Sequence, residues 1–368
     1  MRRDLDKKIW IYTTALIVMG LLALYSASFE NVRVSREVFY DQLWCAAAGM
    51  LLMFLVGRMD YRKFYDIAYF FYGFNIVLLL GVLLGGRDAL GARRWLELGG
   101  LSFQPSEITK LAVILMLGRY WSKRRPIILL DIIGKMEVIL REMIFPLFWV
   151  GLSMLLVFKQ PDLGTALLLL GISLVMMFAG GLKFRYIGGL LAVMLGILPF
   201  AWHILKPYQK DRLLVFLNPN VDPLGAGYTI IQSKIAVGSG RIFGKGWLSG
   251  TQNQLNFLPE RHTDFIFSVI GEEWGFVGGL LLVYCYFQLI SRGLDITEQV
   301  KDKFGMLVGI GIVSILTLQA VINIGMVMGL FPVVGLTLPF ISYGRSSFLI
   351  FAVMMGFLLN LSKRRTVF

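Results

Sequence analysis

Three carboxylates follow prolines at points where the sequence becomes apolar. Glu107, Asp162 and Glu260 each lie one or two residues after a proline. Proline at the first helical position and an acid in the first turn are typical of a helix N-terminus, where free N–H groups favour negative charge. Capping explains Asp162. Further ionisable residues follow the other two at helical spacing, Lys110 after Glu107 and Asp264 after Glu260, which indicates more than capping.

Asp264 is the candidate for acid–base chemistry. If its helix begins near Pro259, one face of that helix carries a polar stripe. An ionisable group within a membrane span costs about 2.5–3.5 kcal/mol, so it normally faces a protein cavity and has a function. Partial desolvation would raise the pKa of Asp264 toward neutrality, as a general base requires. A structural ion pair with Arg261 or Lys110 is the alternative. The stripe consists of Glu260, Asp264, Ser268 and Glu272.

Basic residues occur throughout the two longest connections between apolar stretches, residues 85–104 and 206–263. Arginine makes bidentate contacts with oxygen anions, so such a cluster above a membrane cavity indicates an anionic ligand. Contact with lipid headgroups is the alternative for each residue taken alone. The basic residues are Arg93, Arg94, Lys206, Lys210, Arg212, Lys234, Arg241, Lys245 and Arg261.

The composition requires that membrane helices position these residues. Of the 368 residues, 57% are hydrophobic and 16% are charged, whereas soluble domains are about 45–50% apolar and 25% charged. The apolar runs are apolar on every face, which excludes an outer-membrane barrel. We therefore predict an all-α polytopic membrane protein that forms a single domain over residues 1–368. It has about ten transmembrane helices, at 9–28, 40–57, 64–84, 105–121, 143–158, 164–181, 186–205, 264–290, 305–330 and 337–361.

The distribution of lysine and arginine predicts the orientation of these spans. Most of these residues lie at the two termini and in one alternate set of connections, so the positive-inside rule places both termini in the cytoplasm. The connections 85–104 and 206–263 then lie outside, and 206–263 is a large extracytoplasmic loop between spans seven and eight. Its apolar residues predict short helices. The net charge of +13 reflects this orientation and does not indicate nucleic-acid binding.

Common motifs of nucleotide-dependent and metal-dependent enzymes are absent from the sequence. It contains no Walker lysine motif, dinucleotide fingerprint, HExxH or Gly-x-Ser-x-Gly motif. His203 and His262 are too far apart in sequence to form a local metal pair, although His262 is close enough to Asp264 to contact a substrate. Because no nucleotide is present outside the cell to drive synthesis, an enzyme there needs an activated substrate, such as a lipid-linked sugar phosphate.

The motif around Asp264 is one of several segments that match a known family. Together they closely resemble the SEDS family of shape, elongation, division and sporulation proteins, over nearly the whole chain. The short termini and Arg261 are similar to its RodA-like elongation branch. Arg345 departs from the family, which usually has glycine at that position. The segments are Trp95 with FQPSE at 103–107, QPDLGT at 160–165, DPLGAGY at 222–228, QSKIAVGSG at 232–240 and FLPERHTDFIF at 257–267.

The resemblance implies a peptidoglycan glycosyltransferase of the bacterial cytoplasmic (inner) membrane, which polymerises lipid II on the outer face during cell elongation. The partners it implies are a class B penicillin-binding protein, which is the crosslinking transpeptidase, other membrane proteins of the elongation complex, and membrane lipid. Asp264 matches the catalytic aspartate of the family. The candidate substrate-binding residues are Glu107, Lys110, Arg94, Trp95, Gln104, Arg212, Lys234, Glu260, Arg261 and His262.

The mechanism expected from this match is a single inverting displacement. Asp264 accepts the proton of the acceptor 4-hydroxyl as that oxygen attacks the anomeric carbon of a lipid-linked donor. The departing diphosphate needs charge stabilisation more than a proton. Lys110, Arg212, Lys234 or Arg261 is expected to supply this stabilisation, or else a divalent cation (Mg or Mn), whose ligands the sequence does not identify. No nucleotide is expected. The alternatives are a flippase for the lipid-linked precursor and a noncatalytic scaffold of the wall-synthesis complex.

Overall fold

The computed structural model describes residues 2–29, 32–89, 92–98, 101–123, 132–205, 207–223 and 225–363. Helices dominate this part of the chain. The helices are α1 (Arg2–Ser28), α2 (Val32–Val56), α3 (Arg62–Gly85), α4 (Pro105–Ser122), α5 (Ile132–Lys159), α6 (Leu163–Ala179), α7 (Phe184–Ile204), α8 (Pro207–Leu217), α9 (Ala226–Ser239), α10 (Thr251–Gln254), α11 (Ile266–Gln299), α12 (Lys303–Val327) and α13 (Arg345–Lys363).

Six of the described helices are long and apolar enough to cross a membrane: α1, α2, α3, α11, α12 and α13. Three shorter apolar helices lie at Met143–Lys159, Leu163–Ala179 and Phe184–Met194. The remaining long helix, α4, has 18 residues and includes Glu107, Lys110 and Arg119. The prediction of a mostly helical, polytopic membrane protein is confirmed.

The centre of the bundle is formed by α4 and α12, which pack against each other and are each surrounded by further helices. Almost every side chain of α4 is buried, although the helix carries charge. Glycines allow the close approach of these helices. A Cβ atom at Gly311 of α12 would lie 2.7 Å from Ile114 Cγ2, and one at Gly118 of α4 would lie 2.9 Å from Val308 Cγ2. Because α4 lies at the centre, its ionisable residues face protein rather than lipid.

A small sheet in the first long connection departs from the all-α prediction. Strands β1 (Arg87–Ala89), β2 (Ala92–Leu98) and β3 (Leu101–Phe103) form an antiparallel sheet in the order β1-β2-β3. Its register pairs Arg87 with Trp95 and Leu96 with Phe103. The sequence did contain a signal, because a Gly-Gly pair between two short runs, as at positions 99–100, is a dipeptide that favours hairpins. The sheet fixes Arg94 and Trp95 on a strand.

The second long connection contains helices, as predicted. It holds α8, a short 3-10 turn at Pro219–Val221, α9 and α10. The segment between α9 and α10 also contacts a break in α11, where Gly275 has φ 66° and ψ −159°. At this break the N–H groups of Phe276 and Val277 donate to the carbonyls of Arg241 and Ile242, at 2.9 and 3.1 Å. The loop thus satisfies the backbone groups that the break would leave unpaired.

Two predicted span boundaries are wrong, and both affect the site. Span eight was predicted from residue 264, but α11 begins at Ile266 and residues 259–265 form turns. Span ten was predicted from residue 337, but α13 begins at Arg345, and residues 328–344 contain no regular helix. We call residues 259–265 the Asp264 turn and residues 328–344 the return loop. In both, prolines and left-handed residues interrupt the helical hydrogen bonding.

Candidate active site

The Asp264 turn places its carboxylate ahead of α11 and not along it. Glu260 has φ 50°, in the left-handed region, and its carbonyl accepts the N–H groups of Thr263 at 3.2 Å and Phe265 at 3.3 Å. The predicted polar stripe is therefore wrong, because a helix does not connect Glu260 to Ser268. Glu272 has a different environment, where it is buried and paired with Lys245 at 2.7 Å.

Asp264 is half-buried between α12 and the return loop. Its carbonyl accepts a hydrogen bond from Asn323 Nδ2 at 3.0 Å. Gly335 lies beside the carboxylate, since a Cβ atom there would be 3.6 Å from Asp264 Oδ2. Within the described part of the chain, this carboxylate accepts no hydrogen bond from protein. An acceptor hydroxyl would therefore not have to displace a protein donor.

Two anions and two cations face this carboxylate. The pKa of Asp264 is raised to about 6, chiefly by burial, then by the negative charge of Glu260 and to a smaller extent by that of Asp162. This value already includes a partial offset by the positive charges of Arg212 and Arg94. A carboxylate with a pKa of about 6 is mostly ionised at pH 7 and remains basic enough to accept a proton.

Backbone carbonyls hold both arginines in place. Arg94 donates through Nε to the Gln160 carbonyl at 3.1 Å and through its terminal nitrogen to the Pro161 carbonyl. Arg212 donates to the Val333 carbonyl of the return loop at 3.2 Å. These carbonyls orient the guanidinium groups without themselves carrying a full negative charge. The two guanidinium groups beside Asp264 can offer bidentate contacts to an anionic ligand.

Asp162 acts both as a cap and as part of the site. It accepts the Thr165 N–H at 3.1 Å, which confirms the predicted capping of α6. It also accepts hydrogen bonds from Gln104 Nε2 at 3.2 Å and Ser106 Oγ at 3.3 Å. The QPSE motif is therefore joined to the start of α6. The Gln104 backbone N–H also donates to Ser346 Oγ at 3.0 Å.

Glu107 and Lys110 form a buried ion pair deeper in the bundle. Lys110 Nζ lies 2.7 Å from Glu107 Oε1 and 3.0 Å from Gln319 Oε1. The lysine is 0% exposed, so neither direct contact with a bound substrate nor a pair with Asp264 matches this arrangement. Gln319 in turn donates to the Thr337 carbonyl at 2.8 Å. The pair thus supports the return loop from below.

The other predicted site residues lie around the rim. Lys234 is exposed and lies against Gly329, where φ is 72° and any side chain would meet the lysine. Arg261 donates to the Ala27 carbonyl of α1 at 2.7 Å, so it does not form the ion pair with Asp264 that was the alternative interpretation. Trp95 is half-buried on β2.

His262 links the Asp264 turn to the end of the return loop. Its carbonyl accepts the Tyr343 N–H at 2.8 Å, and the two rings lie edge to face at 6.2 Å. Burial lowers the pKa of His262, so its ring is neutral near pH 7. A neutral imidazole leaves Arg94 and Arg212 as the cations beside Asp264.

Sequence reasoning missed the return loop as a part of the site. Gly335 and Leu336 lie next to the Asp264 turn, and the Val333 carbonyl accepts a hydrogen bond from Arg212. All three lie in the short connection predicted between spans nine and ten, to which the sequence analysis gave no role. The available signal was the spacing of Gly329, Pro332, Gly335 and Pro339, which is too dense for a continuous helix.

The carboxylates do not form a cation site by themselves. Among the described residues, no group of three or more His, Cys, Asp or Glu side chains is arranged to hold a metal ion. A Mg²⁺ or Ca²⁺ ion prefers six or more oxygen ligands. The donor set therefore does not fit a metal ion held by protein alone.

The chain is similar to known proteins over almost its whole length. A family model described as "Cell cycle protein", for FtsW, RodA and SpoVE, matches residues 6–367. The peptidoglycan glycosyltransferase MrdB of Escherichia coli K12 is 40% identical over 98% of this chain and 94% of its own length.

Two solved structures agree in fold. The Thermus thermophilus rod shape determining protein RodA is 29% identical with a TM-score of 0.71, over 97% of this chain and 96% of that one. A chain from a structure described as "Structural coordination of polymerization and crosslinking by a peptidoglycan synthase complex" is 32% identical with a TM-score of 0.81, over 98% of both chains. The resemblance predicted from the motifs is thereby confirmed, and the chain belongs to the FtsW/RodA/SpoVE family.

Proposed function

We propose that this chain is a peptidoglycan glycosyltransferase that polymerises lipid II, with Asp264 as general base. The observation that carries the proposal is the half-buried Asp264 carboxylate, which accepts no hydrogen bond within the described residues and faces Arg94 and Arg212. The relatives named as peptidoglycan glycosyltransferases, matched over nearly the full chain, support the same activity.

In the proposed reaction, one glycosidic bond forms and one bond to diphosphate breaks. Asp264 takes the proton from the 4-hydroxyl of the acceptor sugar while that oxygen attacks the anomeric carbon of the donor. The bond between this carbon and the diphosphate oxygen breaks, and the configuration inverts. Arg212 and Arg94 stabilise the negative charge that develops on the leaving diphosphate. The proton on Asp264 then passes to water, which restores the base.

A divalent cation remains part of the proposal only as a companion of the substrate. Because the described carboxylates provide no cluster of three, the diphosphate oxygens and water would have to supply most of its ligands. Every step above involves this chain's own residues and the two lipid-linked sugars. No nucleotide is required, since the donor carries its own leaving group.

We further propose ten spans, with both termini in the cytoplasm and the sheet and the long connection outside. The six long apolar helices, the three shorter ones and α4 together supply this number. The excess of basic residues at the termini supports the orientation. Asp264 then lies near the outer surface of the bacterial inner membrane, where the large loop joins span eight.

The proposed partners follow from the same role. A polymerase that makes uncrosslinked strands needs a transpeptidase, and a class B penicillin-binding protein provides that activity. The similarity to a chain from a complex that coordinates polymerisation and crosslinking supports this partner. Other membrane proteins of the elongation complex would share the remaining lipid-facing surfaces.

The test is polymerisation by the purified protein in vesicles that contain lipid II, with and without the transpeptidase. Asp264→Asn should lower glycan synthesis by about 10²- to 10⁴-fold and leave folding and partner binding unchanged. Asp295→Asn is the matched control, because Asp295 is a half-exposed carboxylate near the other end of α11, paired with Arg292 at 2.8 Å. This control should polymerise at the wild-type rate.

The two alternatives predict different results in the same vesicles. A flippase would move lipid II between leaflets whether or not polymer forms, and a scaffold would bind the partner without either activity. Undiminished polymer from Asp264→Asn would exclude Asp264 as the base. Movement of lipid II that requires this protein would favour the flippase.

A further inference from the structure

A buried asparagine of α12 holds the main chain of Asp264. The Asn323 Nδ2 group donates to the carbonyl oxygen of Asp264 at 3.0 Å and to that of Leu336 at 2.6 Å. Asn323 is 0% exposed, and its Oδ1 atom has no hydrogen-bond partner among the described residues. One amide group thus joins the Asp264 turn to the return loop.

We propose that Asn323 is a positioning residue for the general base. By holding Asp264 and Leu336 to the same nitrogen, it fixes the spacing between the Asp264 carboxylate and Gly335, which lies directly before Leu336. This spacing determines the room for the acceptor hydroxyl. The inference rests on the proposed function for the role of Asp264.

The local backbone does not provide this positioning by itself. Asp264 lies two residues before the first residue of α11, so the hydrogen bonds of this helix do not fix its main chain. The hydrogen bonds within the turn, from Thr263 and Phe265 to the Glu260 carbonyl, are 3.2 and 3.3 Å long, near or beyond the upper end of the usual range. The carboxylate itself has no protein donor in the described part of the chain. The His262 carbonyl, which accepts the Tyr343 N–H at 2.8 Å, ties the turn to the return loop two residues earlier. At Asp264 itself, the tertiary hydrogen bond to the main chain is the one from Asn323.

A displaced turn would also change the charges that Asp264 meets. The groups that face it are Glu260 of the same turn, Arg212 of α8, Arg94 of β2 and Asp162 at the start of α6. Because these lie on different elements, a movement of the turn alters their distances from the carboxylate unequally. The pH at which the base titrates then changes along with the rate, which a general loss of folded protein would not produce.

Asn360 offers a matched control in the same chain. It lies on α13, is 1% exposed, and its Nδ2 group also donates to two backbone carbonyls, those of Val56 and Met59. Its Oδ1 atom is likewise without a partner in the described residues. Asn323 and Asn360 therefore have the same chemistry and burial, but only Asn323 contacts the Asp264 turn.

The experiment compares Asn323→Ala with Asn360→Ala in the full-length protein by two measurements. Hydrogen exchange followed by mass spectrometry reports on peptides that cover residues 258–267 and 333–340. Lipid II polymerisation reports kcat, KM and the pH midpoint of activity. We expect Asn323→Ala to speed hydrogen exchange in both peptides by at least about tenfold. In the polymerisation assay it should lower kcat by about 10- to 100-fold. The pH midpoint of activity should shift, and KM should change little.

The control and the contrary outcomes separate this inference from the proposed function. Asn360→Ala should lower the stability of the protein without changing the exchange rates of these two peptides or the pH midpoint of activity. Unchanged exchange in Asn323→Ala, or a loss of kcat in proportion to lost folded protein with the wild-type pH midpoint, would overturn the inference. If the wild type makes no polymer but exchange responds as expected, the positioning stands and the proposed function fails.

A milder variant covers the case in which Asn323→Ala does not fold. Asn323→Ser keeps a hydroxyl donor that can serve one of the two carbonyls. Its exchange rate and kcat should lie between the wild-type values and the values expected when the contact with both carbonyls is lost. A serine variant that is identical to the wild type in exchange, kcat and pH midpoint would also overturn the inference.

Discussion

Lys110 and Glu107 form an ion pair of 2.7 Å in the interior of the bundle, where the lysine side chain is 0% exposed and the glutamate 8%. The second carboxylate oxygen of Glu107 has no hydrogen-bond partner among the described residues. The lysine is therefore the main compensation for a charge that is buried at the centre of the protein.

Removing this lysine should destabilise the protein more than removing the pair. Lys110→Met leaves Glu107 uncompensated, and breaking a buried pair costs about 3–5 kcal/mol. The double variant Lys110→Met with Glu107→Gln should recover much of that loss. Thermal unfolding in detergent measures both. Equal melting temperatures for the single and double variants would contradict this account.

The rate of polymerisation should depend on pH through Asp264. Because only the ionised carboxylate accepts a proton and its pKa is about 6, kcat/KM should fall below pH 6 and level off above it. Initial rates on lipid II between pH 5 and 8 provide the test. A rate that is constant across this range would show that Asp264 does not act as the base.

The same carboxylate should reduce stability at neutral pH. Folding raises its pKa from the ordinary value near 3.9 to about 6. The folded state therefore holds the proton more tightly than the unfolded chain. The protonated Asp264 carboxyl therefore contributes to the free energy of unfolding below about pH 4, and this contribution is lost as the pH rises through 6.

Asp264→Asn removes this titration, so it should be more stable than the wild type by about 1–3 kcal/mol at pH 7.5. At pH 4.5 the difference should be much smaller. Melting temperatures of both proteins at the two pH values measure the effect. A variant that is less stable than the wild type at pH 7.5 would mean that the ionised carboxylate has a partner in the fold.

Gly335→Ala should weaken activity beyond its effect on stability. Gly335 has φ 72°, so alanine there costs about 1–2 kcal/mol of backbone strain, and its Cβ would lie 3.6 Å from Asp264 Oδ2, where an acceptor must approach. Gly181→Ala is the control, because Gly181 has φ 105° and open space around it. Both variants should lose stability, and only Gly335→Ala should lose polymerisation at equal amounts of folded protein.

The ion pair of Arg345 should contribute little to stability. Arg345 pairs with Asp41 of α2, and the two side chains are 35% and 38% exposed. A double-mutant cycle of Arg345→Gly and Asp41→Asn should give a coupling of about 0.2–1 kcal/mol, smaller at high salt. A coupling that is several-fold larger and independent of salt would assign the pair a structural role between α2 and α13.

The sequence by itself determined the membrane-embedded helical class, the family and the candidate catalytic aspartate. These properties depend on local composition and on motifs that are continuous in the chain, so long apolar runs identify helices whatever their neighbours are. The capping of α6 by Asp162 was predictable for the same reason, since a cap and its helix are adjacent.

Only the tertiary structure decided how that aspartate is held. The contact from Asn323 to Asp264 joins residues 59 positions apart. The return loop, which follows the C-terminal end of α12, reaches the same site. The pattern of apolar residues predicted a continuous helix through Asp264 and a span through 337–344. This pattern carries no information about the left-handed backbone at Glu260 or the chain breaks at the prolines of the return loop. Which buried polar groups meet depends on how α4, α11 and α12 pack, and that packing is a property of the whole chain.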